Sequence, residues 1–234
     1  SAMGSLTALT YARYKAGVSP IAFVSMDNCS HNGERIRQAF LTFARAWEEK
    51  GYTDAGFTAY IEEKTAFPYS MIDKIVPGPS PKVQSYLKEC GFADTEYIKA
   101  GRSTYALFVN AAPQEYLVIE DTFPNGRPPL EKAGVIFTDR ETVNQCERMK
   151  VGTCLNPLHT ALAVYGCLLG YVKISDEIGD PQLKGLIEKI GYDEGLPVVV
   201  NPGVLNPKAF IDELLEERLP NPNVPALLRT RRRK

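Results

Sequence analysis

Residues 20–51 read PIAFVSMDNCSHNGERIRQAFLTFARAWEEKG, and the order of patterns within them decides the fold class. The apolar run at 20–28 predicts a strand that ends in polar residues. The segment after His31 predicts an amphipathic helix. Its face carries Ile36, Phe40, Phe43, Ala44 and Trp47 at helical spacing, and Gly51 supplies a C-terminal stop. Strand, turn and amphipathic helix in succession is the grammar of an α/β fold.

Upstream, LTALTYARYKAG predicts a short helix over 6–17 that Gly17 closes. Downstream, TAYIEEKTAFPYSMIDKIVPGPSP predicts an extended run entering a proline-rich break, and KVQSYLKECGF a helix closed by Gly91. YALFVN, EYLVIED and GVIFTD predict strands, since β-branched and aromatic residues suit a pleated surface. From Arg140 onward RETVNQCERMK, PLHTALAVYGCLLGYV, PQLKGLIEKIG and NPKAFIDELLEERL predict successive helices.

The expected organisation is therefore an α/β portion over residues 6–139 and a mostly helical domain over 140–225, with the boundary near Asp139. Residues 1–5 read as a cloning remnant, and 226–234 form a basic tail. No GxGxxG turn occurs in the sequence, so either this is not a dinucleotide fold or its first half lies outside this chain.

Composition excludes several classes. A net charge of -1 with 44% hydrophobic residues describes a globular chain and gives no electrostatic basis for nucleic-acid binding. The TRRRK ending is one short basic run, the usual mark of a solvated terminus. Five cysteines without a CxxC pair, and only two histidines, argue against a zinc site. Unpaired thiols fit the cytoplasm better than a secreted disulfide framework. Asn156, Pro157 and His159 interrupt the most apolar segment, so no membrane span and no membrane partner are expected, and the N-terminus lacks a signal sequence.

Those interruptions fall in MKVGTCLNPLHTALAVYGCLLGY, residues 149–171. A lysine, an amide and an imidazole near the start of a buried helix are the groups a carbonyl-processing site requires: a proton carrier, a neutral donor and an orienting group. Each has an ordinary reading as well. Lys150 can close a helix, Asn156 before Pro157 can cap one, and His159 can sit satisfied in a core. Likewise Asn28 can terminate a strand, Asp73 can pair with a surface cation, and Cys154 and Cys167 can be small core residues.

Taken together, VSMDNCSHNGE (24–34), FPYSMIDKIVP (67–77) and the 149–171 segment resemble the mannitol dehydrogenase family of polyol-specific dehydrogenases and reductases. NPLHTALA and IEDTFPNGRPPLEKAGV are most similar to its fructuronate reductase (D-mannonate oxidoreductase) branch. The resemblance implies hydride transfer between NAD and a sugar-derived ketone or secondary alcohol, most closely fructuronate and mannonate, without metal. It makes Lys150 the acid/base, a role suited to a lysine in a desolvated site. Asn28 and Asn156 become oxyanion donors, and His159 orients substrate and lysine. Glu147 matches an acidic residue placed beside the lysine. Asp73 is expected near the nicotinamide ribose, and Asp27 is a further cofactor contact.

Independent of the resemblance, Asn28 ends an apolar run where ligands collect in open α/β sheets. Mannitol or another polyol is the alternative substrate, and a catalytically silent folding or assembly module is the alternative outside the enzymes. Family members carry a Rossmann half before this region and more helical domain after it, so the resemblance makes residues 6–139 part of a partial Rossmann-like, doubly wound domain, and the chain is expected to be a fragment that binds NAD weakly or not at all alone.

The family pattern has four residues between the lysine and the asparagine, whereas five separate Lys150 from Asn156. The extra residue predicts an irregularity, either a π-bulge or a break with Asn156 near an N-cap and Pro157 in the first turn.

Overall fold

The computed structural model describes residues 1–72, 78–109, 111 and 116–222. By internal contact the chain divides into two compact units, which it visits alternately. One comprises Ser1–Ile72, Tyr116–Cys154 and Val198–Pro207; the other comprises the described residues of Asp73–Glu115, Leu155–Pro197 and Lys208–Lys234.

The first unit begins with α1 (Ala2–Lys15), α2 (Asn32–Glu49) and α3 (Ala55–Glu63). α1 starts earlier than its pattern predicts because the Ser1 hydroxyl caps it, accepting from the Gly4 amide at 3.2 Å. α3 replaces the extended run expected at TAYIEEK. Asp54 accepts from the Phe57 amide, and Phe57 and Ile61, one turn apart, are both fully buried. Capping and a short apolar stripe thus prevail over β-propensity. α2 ends as its sequence predicts: Gly51 takes φ +72°, and the Gly51 and Tyr52 amides close onto the Glu48 and Trp47 carbonyls.

The three helices enclose a core of Phe40, Leu41, Ala44, Phe57, Ile61 and Phe67. Phe23 and Phe67 flank Phe40 with ring centroids 4.7 and 5.3 Å away.

The sheet of this unit consists of β1 (Ser70–Ile72), β4 (Leu117–Glu120) and β5 (Ile136–Thr138) in the order β1-β4-β5. β1 runs antiparallel to β4, and β4 runs parallel to β5. α5 (Arg140–Glu147) starts at Asp139, whose carboxylate accepts from the Thr142 amide at 2.9 Å, and it buries Val143 and Cys146 against Tyr69, Met71 and Val118.

The strand predicted over 20–28 is not a regular strand. It makes a single parallel bridge, Ala22 to Ala66, and thereafter its backbone turns to side chains. Ser70 Oγ donates to the Ser25 carbonyl, the Ser25 hydroxyl accepts from the Asp27 amide, and the Asp27 carboxylate accepts from the Cys29 amide. Ser and Asp offer the backbone local partners that compete with a ladder.

The second unit contains α4 (Pro81–Glu89) and a hairpin of β2 (Ile98–Ala100) with β3 (Ser103–Tyr105). The strand expected at YALFVN, from Tyr105 on, is displaced: β3 ends at Tyr105, and residues 106–109 are irregular. Beyond it come α6 (Asn156–Leu168), α7 (Ile174–Glu177), α8 (Pro181–Glu188) and α9 (Pro207–Glu213). α8 and α9 pass into π-helical turns at Lys189–Gly195 and Leu214–Arg218, which the sequence reading did not anticipate. Leu158, Leu162, Ile187, Ile211 and Leu214 are each at most 1% exposed and form its interior. Asp73 and the basic tail lie outside the described residues. Among the described residues no helix is long and apolar enough to cross a membrane.

Two positions generate tests. A Cβ at Gly33, in the first turn of α2, would stand 2.3 Å from the Phe67 carbonyl oxygen and 2.8 Å from that of Pro68. Both obstacles are backbone and cannot swing aside, so Gly33→Ala is expected to cost about 3 kcal/mol or more in urea unfolding, at the upper end for overpacking. Glu177 is completely buried, neither carboxyl oxygen has a hydrogen-bond partner, and its carboxyl lies against Gly166 of α6.

Burial, aided by the charge of Asp176, raises its pKa above the ordinary 4.5. The unfolded chain therefore releases this proton at a pH where the folded chain keeps it. Below about pH 4.5 the group has no effect, and stability is lost as pH rises from there toward the folded pKa. Urea midpoints from about pH 4 to about pH 8 should decline less in Glu177→Gln than in the parent chain; equal slopes would show that Glu177 ionises normally.

Candidate functional site

β1 is the reference for the chemistry-bearing residues of the first unit. The Lys150 ammonium donates to the Ile72 carbonyl at 2.8 Å, at the end of that strand, and lies 5.8 Å from the Tyr116 ring centroid. Lys150 is only 4% exposed, which sets aside the reading of a solvated lysine at a helix end. A buried ammonium needs directed partners, and a backbone carbonyl and a π face supply them.

Glu147 lies three residues before Lys150. Its carboxylate accepts from Ser30 Oγ and, at 3.5 Å, from the His31 amide. Glu147 thereby joins the segment bearing Lys150 to the loop bearing Asp27 and Asn28. Both of those residues are exposed. The Asn28 carboxamide is thus offered to solvent from a loop whose flanks are fixed. Within the first unit Glu147 is thus bonded two and three residues beyond Asn28, at Ser30 and His31, and Lys150 to the end of β1.

Sequence reading missed the residue that fixes the other flank. Asn32, 1% exposed, donates from Nδ2 to the Asp27 carbonyl at 2.9 Å and to Ser70 O and Oγ at 3.0 Å each. Its Oδ1 accepts from Ser70 N at 3.1 Å and Gly33 N at 2.8 Å. An Asn-Gly pair opening an amphipathic helix was the available signal. A second missed group is Glu120, 5% exposed, which accepts from the Tyr69 amide and from Arg140 Nε at 3.0 Å each. Arg140 lies 4.5 Å over the Tyr69 ring, and His31 stacks on that ring.

Asn156 and His159 belong to the second unit. They stand three residues apart at the start of α6, on one helical face. Asn156 is exposed and forms no side-chain cap; Leu155 occupies the N-cap position, and Pro157 lies in the first turn. The capping reading of the Asn156–Pro157 pair thus holds for the proline only. His159 is half-buried, and burial lowers its pKa below the ordinary 6.5.

The irregularity expected from the extra residue is present. Arg148–Cys154 is a π-helical stretch, Leu155 is a bend, and a new helix begins at Asn156. A π turn holds one residue more than an α turn, so it absorbs an added residue while keeping the backbone bonded. Cys146 and Cys154 are buried, with thiols pushed up to about 11, which leaves both as core residues.

The lowered pKa of His159 is directly measurable. In an NMR titration its ring protons should reach the half-protonated point below pH 6.5, leaving a neutral imidazole with one donor and one acceptor at neutral pH. A midpoint at or above that value would remove the desolvated environment assigned to the ring.

Comparison with known proteins gives this geometry a family. The profile described as the mannitol dehydrogenase Rossmann domain matches residues 1–132. The D-mannonate oxidoreductase of Thermotoga maritima is 52% identical over 228 residues, covering 96% of this chain and 42% of that protein. The mannitol 2-dehydrogenase of Cereibacter sphaeroides is 32% identical over 227 residues, covering 96% and 43%. The structure of Pseudomonas fluorescens mannitol 2-dehydrogenase, a ternary complex with NAD and D-mannitol, superposes with a TM-score of 0.71 at 29% identity, covering 94% of this chain and 40% of that one. The chain thus spans about two fifths of the length of the curated relatives it matches. With a family profile matching more than half its residues, the chain belongs to the mannitol dehydrogenase family.

Proposed function

We propose that the protein containing this chain is an NAD-dependent oxidoreductase that interconverts a sugar-derived ketone and its secondary alcohol, with fructuronate and mannonate as the pair. The observation that carries this reading is Lys150: an ammonium withdrawn from water, aimed by a backbone carbonyl, and linked through Glu147 to a loop presenting the Asn28 amide. The 52% identity with a D-mannonate oxidoreductase supports the uronate pair. A polyol such as mannitol is the second reading, carried by the less similar mannitol 2-dehydrogenases.

The residues present suit the nicotinamide end of the cofactor. The exposed Asp27 carboxylate can accept from a ribose hydroxyl, and the exposed Asn28 amide can donate to an oxygen atom. A nicotinamide held by these residues would supply or receive the hydride. Lys150 Nζ gives a proton to the substrate oxygen in reduction and takes it back in oxidation. The Asn28 amide donates a hydrogen bond to that oxygen as charge builds on it, and a neutral donor does so without trapping the alkoxide as an ion pair; Asn156 is a second candidate donor. His159, neutral at pH 7, is the candidate group for orienting the substrate.

The same reading puts the boundary between the cofactor-binding and helical substrate domains near Asp139. It places the protein in the cytoplasm, where its five free thiols fit. Its partners are then small molecules, without nucleic acid or membrane.

The test is NADH-dependent reduction of fructuronate, tagaturonate and fructose by a chimera: the Thermotoga maritima relative with its matching 228 residues replaced by this chain. The folded chimera is expected to turn over fructuronate fastest, and Lys150→Ala to lose about 10²-fold or more, the scale of a missing acid/base. Undiminished turnover in Lys150→Ala would take the lysine out of the mechanism.

A further inference from the structure

We infer that Asn32 is a positioning residue, holding the loop of Asn28 in register with the strand end that holds Lys150. The inference rests on the roles proposed above for Asn28 and Lys150. At 1% exposure, the Asn32 carboxamide has no access to a substrate, so any influence on turnover passes through what it holds.

It holds two things at once. By accepting from Ser70 N and donating to Ser70 O, the side chain behaves as a neighbouring peptide group would, closing the edge of β1 opposite β4. Its Nδ2 also donates to the Asp27 carbonyl, one residue before Asn28. Lys150 is fixed to the Ile72 carbonyl of the same strand, two residues further along, a rise of roughly 7 Å. Carbonyls two residues apart on a strand project toward the same edge. Asn28 and Lys150 are therefore measured from one rigid element, Asn28 through Asn32 and Lys150 directly. Beyond Asn28 the loop is tied again, by Ser30 to Glu147.

The discriminating substitution is Asn32→Asp. It keeps an oxygen to accept from Ser70 N and Gly33 N, preserving the start of α2, and it removes the donor to Asp27 O and Ser70 O. Cys29, half-buried beside Asn28, reports on the loop, and exposed Cys90 serves as internal control. In the chain itself, Asn32→Asp is expected to speed alkylation of Cys29 severalfold, read by peptide mass spectrometry, with Cys90 unchanged. In the chimera it should lower kcat for fructuronate at least about tenfold, and by no more than the 10²–10³-fold loss expected for one oxyanion donor, with little change in KM. In an Asn28→Ala background the same substitution should cost nothing further, because both remove one interaction.

Unchanged Cys29 labelling overturns the inference, and so do additive losses in the double variant, the mark of a merely structural role. Undiminished turnover in Asn28→Ala would instead defeat the proposed oxyanion role, and the labelling result separates that failure from this one.

Discussion

The structure depends on one buried carboxamide acting as a surrogate peptide. β1 has β4 on one side, and on the other the Ala22–Ala66 bridge does not continue as a ladder at Ser70. A backbone N–H and C=O left unpaired there would each cost about 1–3 kcal/mol. Asn32 pairs both, and because it is also the first residue of α2, the helix is anchored to the strand by a polar bond as well as by the aromatic core. Gly33 completes the joint, since no side chain fits between the α2 backbone and the Phe67 and Pro68 carbonyls.

From that joint follow the positions of the reactive groups. The loop between the apolar run and α2 is short, its backbone is bonded to Ser25, Asp27 and Asn32 side chains, and its outer side is held by Glu147. Such a loop can offer an exposed amide without the entropy of a free one. Lys150 reaches the same strand from a π-helical turn, a local winding that recurs where helices must present a functional side chain out of α register. In the second unit the logic is reversed: Asn156 and His159 sit on an ordinary helix start, and the unusual element is the unpartnered carboxyl of Glu177 pressed against Gly166 of that helix.

The membership of the family was legible because its wording is local. Three segments of about a dozen to two dozen residues carry it, and Lys150, Asn28, Asn156 and His159 could be named from them. The irregular helix was legible too, since one surplus residue between Lys150 and Asn156 has to be wound in or broken out of a regular helix. The extended reading of TAYIEEK, from Thr58 on, failed because Asp54 caps Phe57 and two buried side chains share a face, an arrangement whose strength lies in the core that receives it.

By itself the sequence determined the class of fold, the start and stop of α2, the strands at Leu117–Glu120 and Ile136–Thr138, and the order of the helices after Asp139. All of these follow from periodicity and capping, which act over a few residues. Only the tertiary structure decided that 20–28 is not a strand, that Lys150 is buried on the Ile72 carbonyl, and that Asn32 closes the edge of β1. Those outcomes join residues 38 and 78 positions apart, and a hydrogen bond over that separation leaves no periodic trace in the chain that makes it.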